Sequence, residues 1–269
     1  MRIKTFLVDS FTDEAFKGNP AGVCLLDKEI SEELMQNIGM EVNAAETAFV
    51  LKTDKGENHF SIRYYSPEVE IAFCGHATLA SAKVLIEKLN YSEISFTTHK
   101  GLKLSAEKNE KGVRMIFPLF ESVPFSSDKI SEGLGISSYE DSKYCNDNQD
   151  LVVRVKDKET LLNIKPDMAK LKAASGEFRG VCVTCKSEDE GFDFYSRFFA
   201  PAVGINEDPV TGSAHSVLAK YWSDILGKKE LSAKQLSKRT GYMKLKILED
   251  NSLEVISDAK IMIEGELNA

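Results

Sequence analysis

The chain carries the stretch His59-Phe-Ser-Ile-Arg-Tyr-Tyr-Ser-Pro-Glu-Val-Glu-Ile71 a second time as Asp193-Phe-Tyr-Ser-Arg-Phe-Phe-Ala-Pro-Ala-Val-Gly-Ile205. The two stretches align without gaps at an offset of 134 residues, about half of the 269-residue chain. Aromatic residues also face each other at two adjacent aligned positions. The identical pairs are Phe60 and Phe194, Arg63 and Arg197, Pro67 and Pro201, Val69 and Val203, and Ile71 and Ile205.

The similarity resumes further along the chain, three residues out of step. Cys74-Gly-His-Ala-Thr-Leu-Ala-Ser-Ala-Lys83 aligns with Thr211-Gly-Ser-Ala-His-Ser-Val-Leu-Ala-Lys220. Chance similarity between two αβ segments is the alternative explanation. Two ordered blocks at nearly the same offset favour duplication of one folding unit.

Each copy has the pattern of a strand, a proline-containing loop, a glycine turn and a helix. The helices that begin near Gly75 and Gly212 are apolar on most faces, which predicts that both are buried. Short predicted strands surround them, at 2–8, 46–52, 94–99, 101–106, 113–117, 151–155, 178–185, 192–199, 242–249 and 253–257. The pattern therefore predicts two lobes, each with a sheet curled around a central helix.

The predicted boundary between the lobes follows from this arrangement. Residues 1–118 form the N-terminal lobe and residues 119–257 form the C-terminal lobe, with the hinge at Pro118–Pro124. The last segment, 258–269, is predicted to return as a strand to the first lobe.

Composition limits the possible functions. The net charge is −8 with acidic and basic residues mixed, which argues against a nucleic-acid-binding protein. The N-terminus lacks a secretory apolar region and no apolar run is long enough for a transmembrane helix. Five cysteines, an odd number, fit reduced thiols in a cytoplasmic protein. No metal site or cofactor is predicted.

Two helix N-termini are candidates for binding an anion. The first turn of a helix has unsatisfied N–H groups and a partial positive charge, and glycine allows a ligand to approach the backbone closely. If Gly75-His76 and Gly212-Ser213 face one another, they form a twin cradle for a carboxylate. The alternative is that both glycines merely begin helices.

Glu46 is the candidate acid/base. It lies in Asn43-Ala-Ala-Glu-Thr-Ala-Phe-Val-Leu51, a carboxylate among apolar neighbours. If this side chain is buried, desolvation is expected to raise its pKa towards the range useful for general acid/base catalysis. The alternative is that Glu46 is an exposed glutamate at the start of a strand. In the same way, Asp208-Pro209 could be no more than a turn.

Five ordered motifs resemble the family of the phenazine-biosynthesis isomerase PhzF, over nearly the whole chain. They are Val8-Asp-Ser-Phe-Thr12 with Phe16-Lys-Gly-Asn-Pro-Ala-Gly-Val23, the segment 43–49, Pro67 to Ala80, Arg197-Phe-Phe-Ala-Pro201, and Glu207 to His215. The resemblance implies an α+β, diaminopimelate-epimerase-like fold with two pseudo-symmetric lobes. It also implies that Glu46 is the acid/base, that His76, Asp208 and Ser213 line the site, and that the protein is a homodimer.

The sequence departs from related proteins at two places. Ala45 stands where the PhzF family often has serine, so the phenazine-pathway compound is not the expected substrate. Related racemases have a catalytic cysteine before each loop glycine, whereas here Cys74 is matched by Thr211, an alcohol too weakly acidic to act as a base unaided. Cys74 is therefore interpreted as a packed small hydrophobic residue.

The leading hypothesis is a cofactor-independent isomerase that shifts a proton, and with it a double bond, on a small carboxylate. A racemase or epimerase of a small amino or hydroxy acid is one alternative. A catalytically idle protein that binds a small acid is the other. The sequence does not choose among substrates.

Overall fold

The structure, a computed structural model, describes residues 1–174, 176 and 178–269. The chain divides into two units, Met1–Phe117 with Glu254–Ala269 (unit 1) and Pro118–Leu253 (unit 2). The first boundary lies one residue before the predicted one. The returning segment begins at Glu254 rather than at 258.

Unit 1 begins with eight strands and two helices. The strands are β1 (Arg2–Ser10), β2 (Asn19–Leu26), β3 (Glu46–Lys52), β4 (His59–Tyr65), β5 (Glu70–Ile71), β6 (Glu93–Thr98), β7 (Lys103–Asn109) and β8 (Gly112–Pro118). The helices are α1 (Glu32–Val42) and α2 (Gly75–Leu89).

Unit 2 follows with a similar set of elements. Its strands are β9 (Val123–Pro124), β10 (Asp141–Cys145), β11 (Asp150–Arg154), β12 (Gly180–Lys186), β13 (Phe194–Ala200), β14 (Ile205–Asp208), β15 (Glu230–Gln235) and β16 (Gly241–Ile247). Its helices are α3 (Asp128–Leu134), α4 (Lys158–Asn163), α5 (Met168–Ala173) and α6 (Gly212–Leu226). Strand β17 (Ser252–Ser257) leads back to unit 1, and β18 (Ala259–Asn268) pairs antiparallel with β1.

The two units have the same strand pairing. In unit 1, β2 and β3 are parallel, β3 and β4 are antiparallel, β4 and β6 are parallel, and β6 and β7 are antiparallel. In unit 2, the corresponding pairs are β11 with β12, β12 with β13, β13 with β15, and β15 with β16, each in the same direction. This agreement supports the duplication inferred from the sequence.

The register of these pairs identifies equivalent residues. Lys52 pairs with Phe60 in unit 1, and Lys186 pairs with Phe194 in unit 2. The same offset makes Gly180, the first residue of β12, the equivalent of Glu46, the first residue of β3. The duplicated backbone therefore carries a carboxylate at this position in one unit and no side chain in the other.

Helices α2 and α6 are the buried centres of their units. Both contain 15 residues and both begin at the predicted glycine. Helix α2 packs against β1, β2, β3, β7 and β18 of its unit. In α6, Trp222 stacks on Phe194 with ring centroids 5.6 Å apart and donates a hydrogen bond to Thr184 Oγ1 (2.9 Å). The predicted burial of both helices is confirmed.

Some strands were not predicted, and their sequences explain why. Strand β2 contains Pro20 and Gly22, which are uncommon in strands, and β15 contains mostly residues of low β-propensity. Strand β7 begins at Lys103 rather than at 101, because Gly101 has φ +82° and lies in a turn. In the part of the chain that the structure describes, no helix has the length and hydropathy of a membrane span.

Gly180 leaves no room for a side chain. A Cβ atom at this position would lie 2.4 Å from Phe198 Cζ and 3.2 Å from Asp150 Oδ1. We expect Gly180→Ala to lower the free energy of unfolding by about 1–3 kcal/mol, because overpacking forces the aromatic ring to move. Denaturant titration measures this change. Gly265→Ala is the control, because a Cβ there meets nothing within 4 Å; equal stability of the two variants would contradict the expectation.

Candidate active site

Glu46 lies where the parallel pairing of β2 and β3 begins. It pairs with Ala21, and its side chain is only 12% exposed. Its neighbours in the strand, Thr47, Ala48, Phe49 and Val50, are fully buried. The strand start thus holds a carboxylate at the edge of the core with a narrow opening to solvent.

His76 is the second residue of α2 and faces Glu46. Its Nε2 atom lies 2.9 Å from Glu46 Oε2, and its side chain is 10% exposed. Ser10 Oγ donates a hydrogen bond to the His76 carbonyl oxygen (2.7 Å), and Asn19 Nδ2 lies 3.4 Å from His76 Nδ1. Strand β1 therefore holds the His76 backbone, and β2 places a polar side chain beside the imidazole ring.

Cys74 is the residue that sequence reasoning underrated. It caps the N-terminus of α2, and its Sγ accepts a hydrogen bond from the Ala77 N–H group (3.5 Å). The same sulfur lies 3.8 Å from Glu46 Oε2 and 3.3 Å from His76 Nδ1. The interpretation of Cys74 as a packed small hydrophobic residue is correct about its burial but wrong about its surroundings, because the thiol contacts both candidate site residues.

The pKa of Glu46 differs from the sequence-based expectation. Burial acts to raise the pKa of this carboxyl group, as expected from its apolar neighbours. The hydrogen bond and charge of His76, with a hydrogen bond from Cys74, outweigh burial and bring the pKa below its ordinary value of 4.5. The expected rise is therefore wrong, and Glu46 is a carboxylate at neutral pH.

The two partners of Glu46 also shift. Burial acts to lower the pKa of His76, but the adjacent Cys74 and Glu46 outweigh it and raise that pKa well above 6.5. Burial raises the pKa of the Cys74 thiol. The cluster therefore combines a stable carboxylate with two proton-bearing neighbours.

The predicted residues of unit 2 lie around the start of α6. Asp208 is the last residue of β14, and its Oδ2 accepts a hydrogen bond from Thr211 Oγ1 (2.5 Å). The side chain of Gln235 accepts a hydrogen bond from the Thr211 N–H group (2.9 Å) and donates one to the Asp208 carbonyl oxygen (2.8 Å). Asp208 is thus more than a turn residue, because it accepts a hydrogen bond from Thr211, the N-cap residue of α6.

Gly212 and Ser213 are the first two residues of α6, as Gly75 and His76 are of α2. Asn148 Nδ2 donates a hydrogen bond to the Ser213 carbonyl oxygen (3.3 Å). Each unit thus places an asparagine beside the second residue of its central helix.

An ion pair with a buried carboxylate and a half-buried arginine lies at the base of the turn that carries Asn148. Asp150 is fully buried and accepts two hydrogen bonds from Arg179, at 3.0 and 2.7 Å. Burial raises the pKa of Asp150 to about 6, although Arg179 acts to lower it.

The structure brings Glu46, Gly75 and His76 together within unit 1, and Asp208, Gly212 and Ser213 together within unit 2. Sequence reasoning missed Asn19, Asn148 and Gln235, and it discounted Cys74. Asn19 stands in one of the motifs quoted above, which was the available signal. Asn148 and Gln235 had none, because only the folded chain brings them to the start of α6.

Comparison with known proteins identifies relatives over the full length. The family model of the phenazine biosynthesis-like protein matches residues 8–266. An uncharacterized isomerase of Pseudomonas aeruginosa is 43% identical over 271 residues, covering 100% of both chains. A solved PhzF-family structure from Enterococcus faecalis is 38% identical with a TM-score of 0.90, again covering 100% of both chains.

More distant structures share the architecture alone. A hydroxyproline epimerase of Agrobacterium vitis is 12% identical with a TM-score of 0.60, covering 99% of this chain and 92% of its own. This similarity agrees with the expected α+β, diaminopimelate-epimerase-like fold.

The influence of His76 on Glu46 can be measured without a substrate. In His76→Asn, the main contributions that lower the Glu46 pKa are lost and burial, which raises it, remains. We expect Glu46 to protonate at a higher pH in the variant than in the wild type, so its carboxylate is lost earlier on acidification. The carboxyl ¹³C chemical shift, followed against pH, reports this.

Glu70 is the internal control in the same spectra, because Arg63 lowers its pKa and His76 is not among the causes. An unchanged or lower Glu46 pKa in His76→Asn, with Glu70 unmoved, would contradict the electrostatic description.

Proposed function

The chain belongs to the phenazine biosynthesis-like (PhzF) family, and from this premise we propose that it is a cofactor-independent isomerase that moves a proton on a small carboxylate substrate. Glu46 is the acid/base that removes the proton and returns it at another position, with a shift of the double bond. The family match supports the reaction class, and the geometry supports the choice of residue.

The observation that carries the proposal is the chemical difference between equivalent positions of the two units. Glu46, Cys74 and His76 correspond to Gly180, Thr211 and Ser213. A racemase with two equivalent bases needs a proton carrier in each unit. Here only unit 1 has a carboxylate, a thiol and an imidazole, whereas the matching positions of unit 2 carry a glycine and two alcohols. This difference favours chemistry with one base.

His76 supports the ionised form of that base. Its Nε2–H group donates to Glu46 Oε2, and this hydrogen bond favours the charged carboxylate over the neutral acid. Protonation of Glu46 by the substrate weakens the interaction, which favours return of the proton. A shuttle needs a base that takes and then releases a proton, and the pair provides this balance.

The substrate-binding residues are proposed from the helix termini. The first N–H groups of α2, at Gly75 and His76, bind the carboxylate of the substrate through the helix dipole. Asp208, Gly212 and Ser213 also contribute to substrate binding. A screen of small acids identifies the substrate. Homodimer formation remains a prediction, which light scattering tests.

A racemase or epimerase is the second candidate, and it needs a second acid/base group on the face of the substrate carbon opposite Glu46. Cys74 Sγ lies 3.8 Å from Glu46 Oε2, which leaves no room for a substrate carbon between them, so the second group would be a different residue. In heavy water the two mechanisms differ. A shielded one-base shuttle returns part of the original hydrogen to the product, whereas two-base chemistry introduces solvent deuterium almost completely.

The proposed role of Glu46 is tested by a hydrogen-exchange screen. A panel of small amino, hydroxy and unsaturated acids is incubated with the protein in heavy water, and mass spectrometry measures deuterium uptake and turnover. Positioned acid/base catalysis typically contributes about 10²–10⁴-fold to the rate. We expect Glu46→Gln to lower turnover by at least the upper value of that range, because the same group removes and returns the proton. The change keeps the size and one hydrogen-bonding face of the side chain.

The matched control is Glu41→Gln, because Glu41 is an exposed glutamate of the same unit. A folded Glu46→Gln protein with near wild-type turnover would exclude Glu46 as the base. Acids that bind tightly but exchange no hydrogen in the wild type would instead indicate a catalytically idle binding protein.

The proposed roles of the unit 2 residues are tested by steady-state kinetics. With the substrate found in the screen, we expect Asp208→Asn and Ser213→Ala to raise KM more than they lower kcat, because these residues bind and orient rather than transfer the proton. Steady-state kinetics at fixed pH measure both constants. Asp128→Asn, an exposed change in the same unit, is the control. A loss confined to kcat would assign Asp208 a role in the chemical step instead.

A further inference from the structure

Three different metal-ligating side chains converge at the start of β3 and α2. The ligand atoms of Glu46, Cys74 and His76 all lie within 4.8 Å of one another. Glu46 Oε2 is 2.9 Å from His76 Nε2 and 3.8 Å from Cys74 Sγ, and that sulfur is 3.7 Å from His76 Nε2. The sequence predicted no metal here, because strands β4 and β5 separate Glu46 from Cys74 and His76 along the chain.

These separations match the dimensions of a zinc site. Zinc binds thiolate sulfur at about 2.3 Å, imidazole nitrogen at about 2.0–2.1 Å and carboxylate oxygen at about 2.0–2.2 Å. In a tetrahedral arrangement such ligand atoms lie roughly 3.3–3.6 Å apart. The observed distances differ from this range by a few tenths of an ångström.

The chemistry of the set selects the ion. A thiolate, an imidazole and a carboxylate together suit Zn²⁺, whereas Mg²⁺ and Ca²⁺ prefer ligands that are all oxygen. A thiolate and a carboxylate also carry two negative charges, which match the charge of the ion. The amide nitrogen of Asn19 lies 3.4 Å from the other nitrogen of the His76 ring.

The cluster is partly open to solvent and offers three ligands. The side chains of Glu46 and His76 are 12% and 10% exposed, so the cluster has a narrow opening to solvent. Three protein ligands leave a fourth position for water. We propose that Glu46, Cys74 and His76 form a zinc-binding site that inhibits the protein, because the bound ion occupies the carboxylate oxygen and both of its neighbours.

Binding and inhibition are separate parts of this proposal. The ion displaces the thiol proton of Cys74 and the Nε2 proton of His76 to solvent and forms three coordinate bonds, with no change of oxidation state. The inhibition rests on the proposed function, since it requires Glu46 to be the base. The binding does not, and it is measured without substrate.

The experiment uses Co²⁺ as a spectroscopic probe on the metal-free full chain under reducing conditions. We expect one Co²⁺ per chain and a thiolate-to-cobalt charge-transfer absorption in the near ultraviolet, which Zn²⁺ then removes by displacement. Cys74→Ser should abolish the absorption. His76→Gln should weaken cobalt binding by more than about 100-fold, because replacing only the polar partner of a metal ligand typically costs about 10–100-fold.

The matched controls are Cys24→Ser and His59→Gln. Cys24 is another buried thiol of unit 1 and His59 lies between Thr53 and Thr97, so neither change should alter cobalt binding. If Cys74→Ser fails to fold, crystals of the wild type soaked in Zn²⁺ locate the ion by its anomalous scattering. Absence of the thiolate absorption, its persistence in Cys74→Ser, or an ion located elsewhere would overturn the site.

Inhibition has its own readout. With the exchange assay described above, one equivalent of Zn²⁺ should abolish turnover and excess EDTA should restore it. Zinc that binds at these residues but leaves turnover unchanged, or increases it, would overturn the inhibitory role while keeping the site. Failure of Glu46→Gln to reduce turnover would instead remove the proposed function and leave the metal-binding result intact.

Discussion

Two buried helices need partners for the amide groups of their first turns, and the candidate site of each unit lies where that need is met. The first N–H groups of a helix have no partner within the helix. In unit 1, Cys74 caps α2 through its sulfur. In unit 2, Gln235 and Asp208 hold Thr211, the residue before α6. The remaining first-turn amides are suited to an anion, so a constraint on folding also provides a binding feature.

The two units share a duplicated backbone but differ in the side chains at the candidate site. The strand pairs repeat with the same directions and registers, and both central helices begin at glycine. The side chains at the equivalent positions differ, because Glu46 faces His76 in one unit and Gly180 packs under Phe198 in the other. A carboxylate at position 180 would have to displace that aromatic ring. Packing in unit 2 therefore works against a second base.

The cluster in unit 1 illustrates how a neighbour reverses the effect of burial. A carboxylate taken from water into an apolar environment tends to become neutral. His76 prevents this for Glu46 by a hydrogen bond of 2.9 Å and its charge, so the net pKa falls. The same three side chains that balance a proton also have the spacing of a metal site. Proton transfer and zinc binding would therefore compete for the same lone pairs.

The sequence by itself determined the repeat, both central helices, the strand at Glu46 and the glycines that begin α2 and α6. These features follow from local periodicity and turn chemistry, which act over a few residues. Sequence motifs also led to Glu46, His76, Asp208 and Ser213. Only the tertiary structure decided that Cys74 contacts Glu46, that Asn148 contacts the carbonyl group of Ser213, and that the Glu46 pKa falls rather than rises. Those outcomes depend on distances between side chains far apart in the chain, and electrostatic and hydrogen-bonding energies change steeply over such distances.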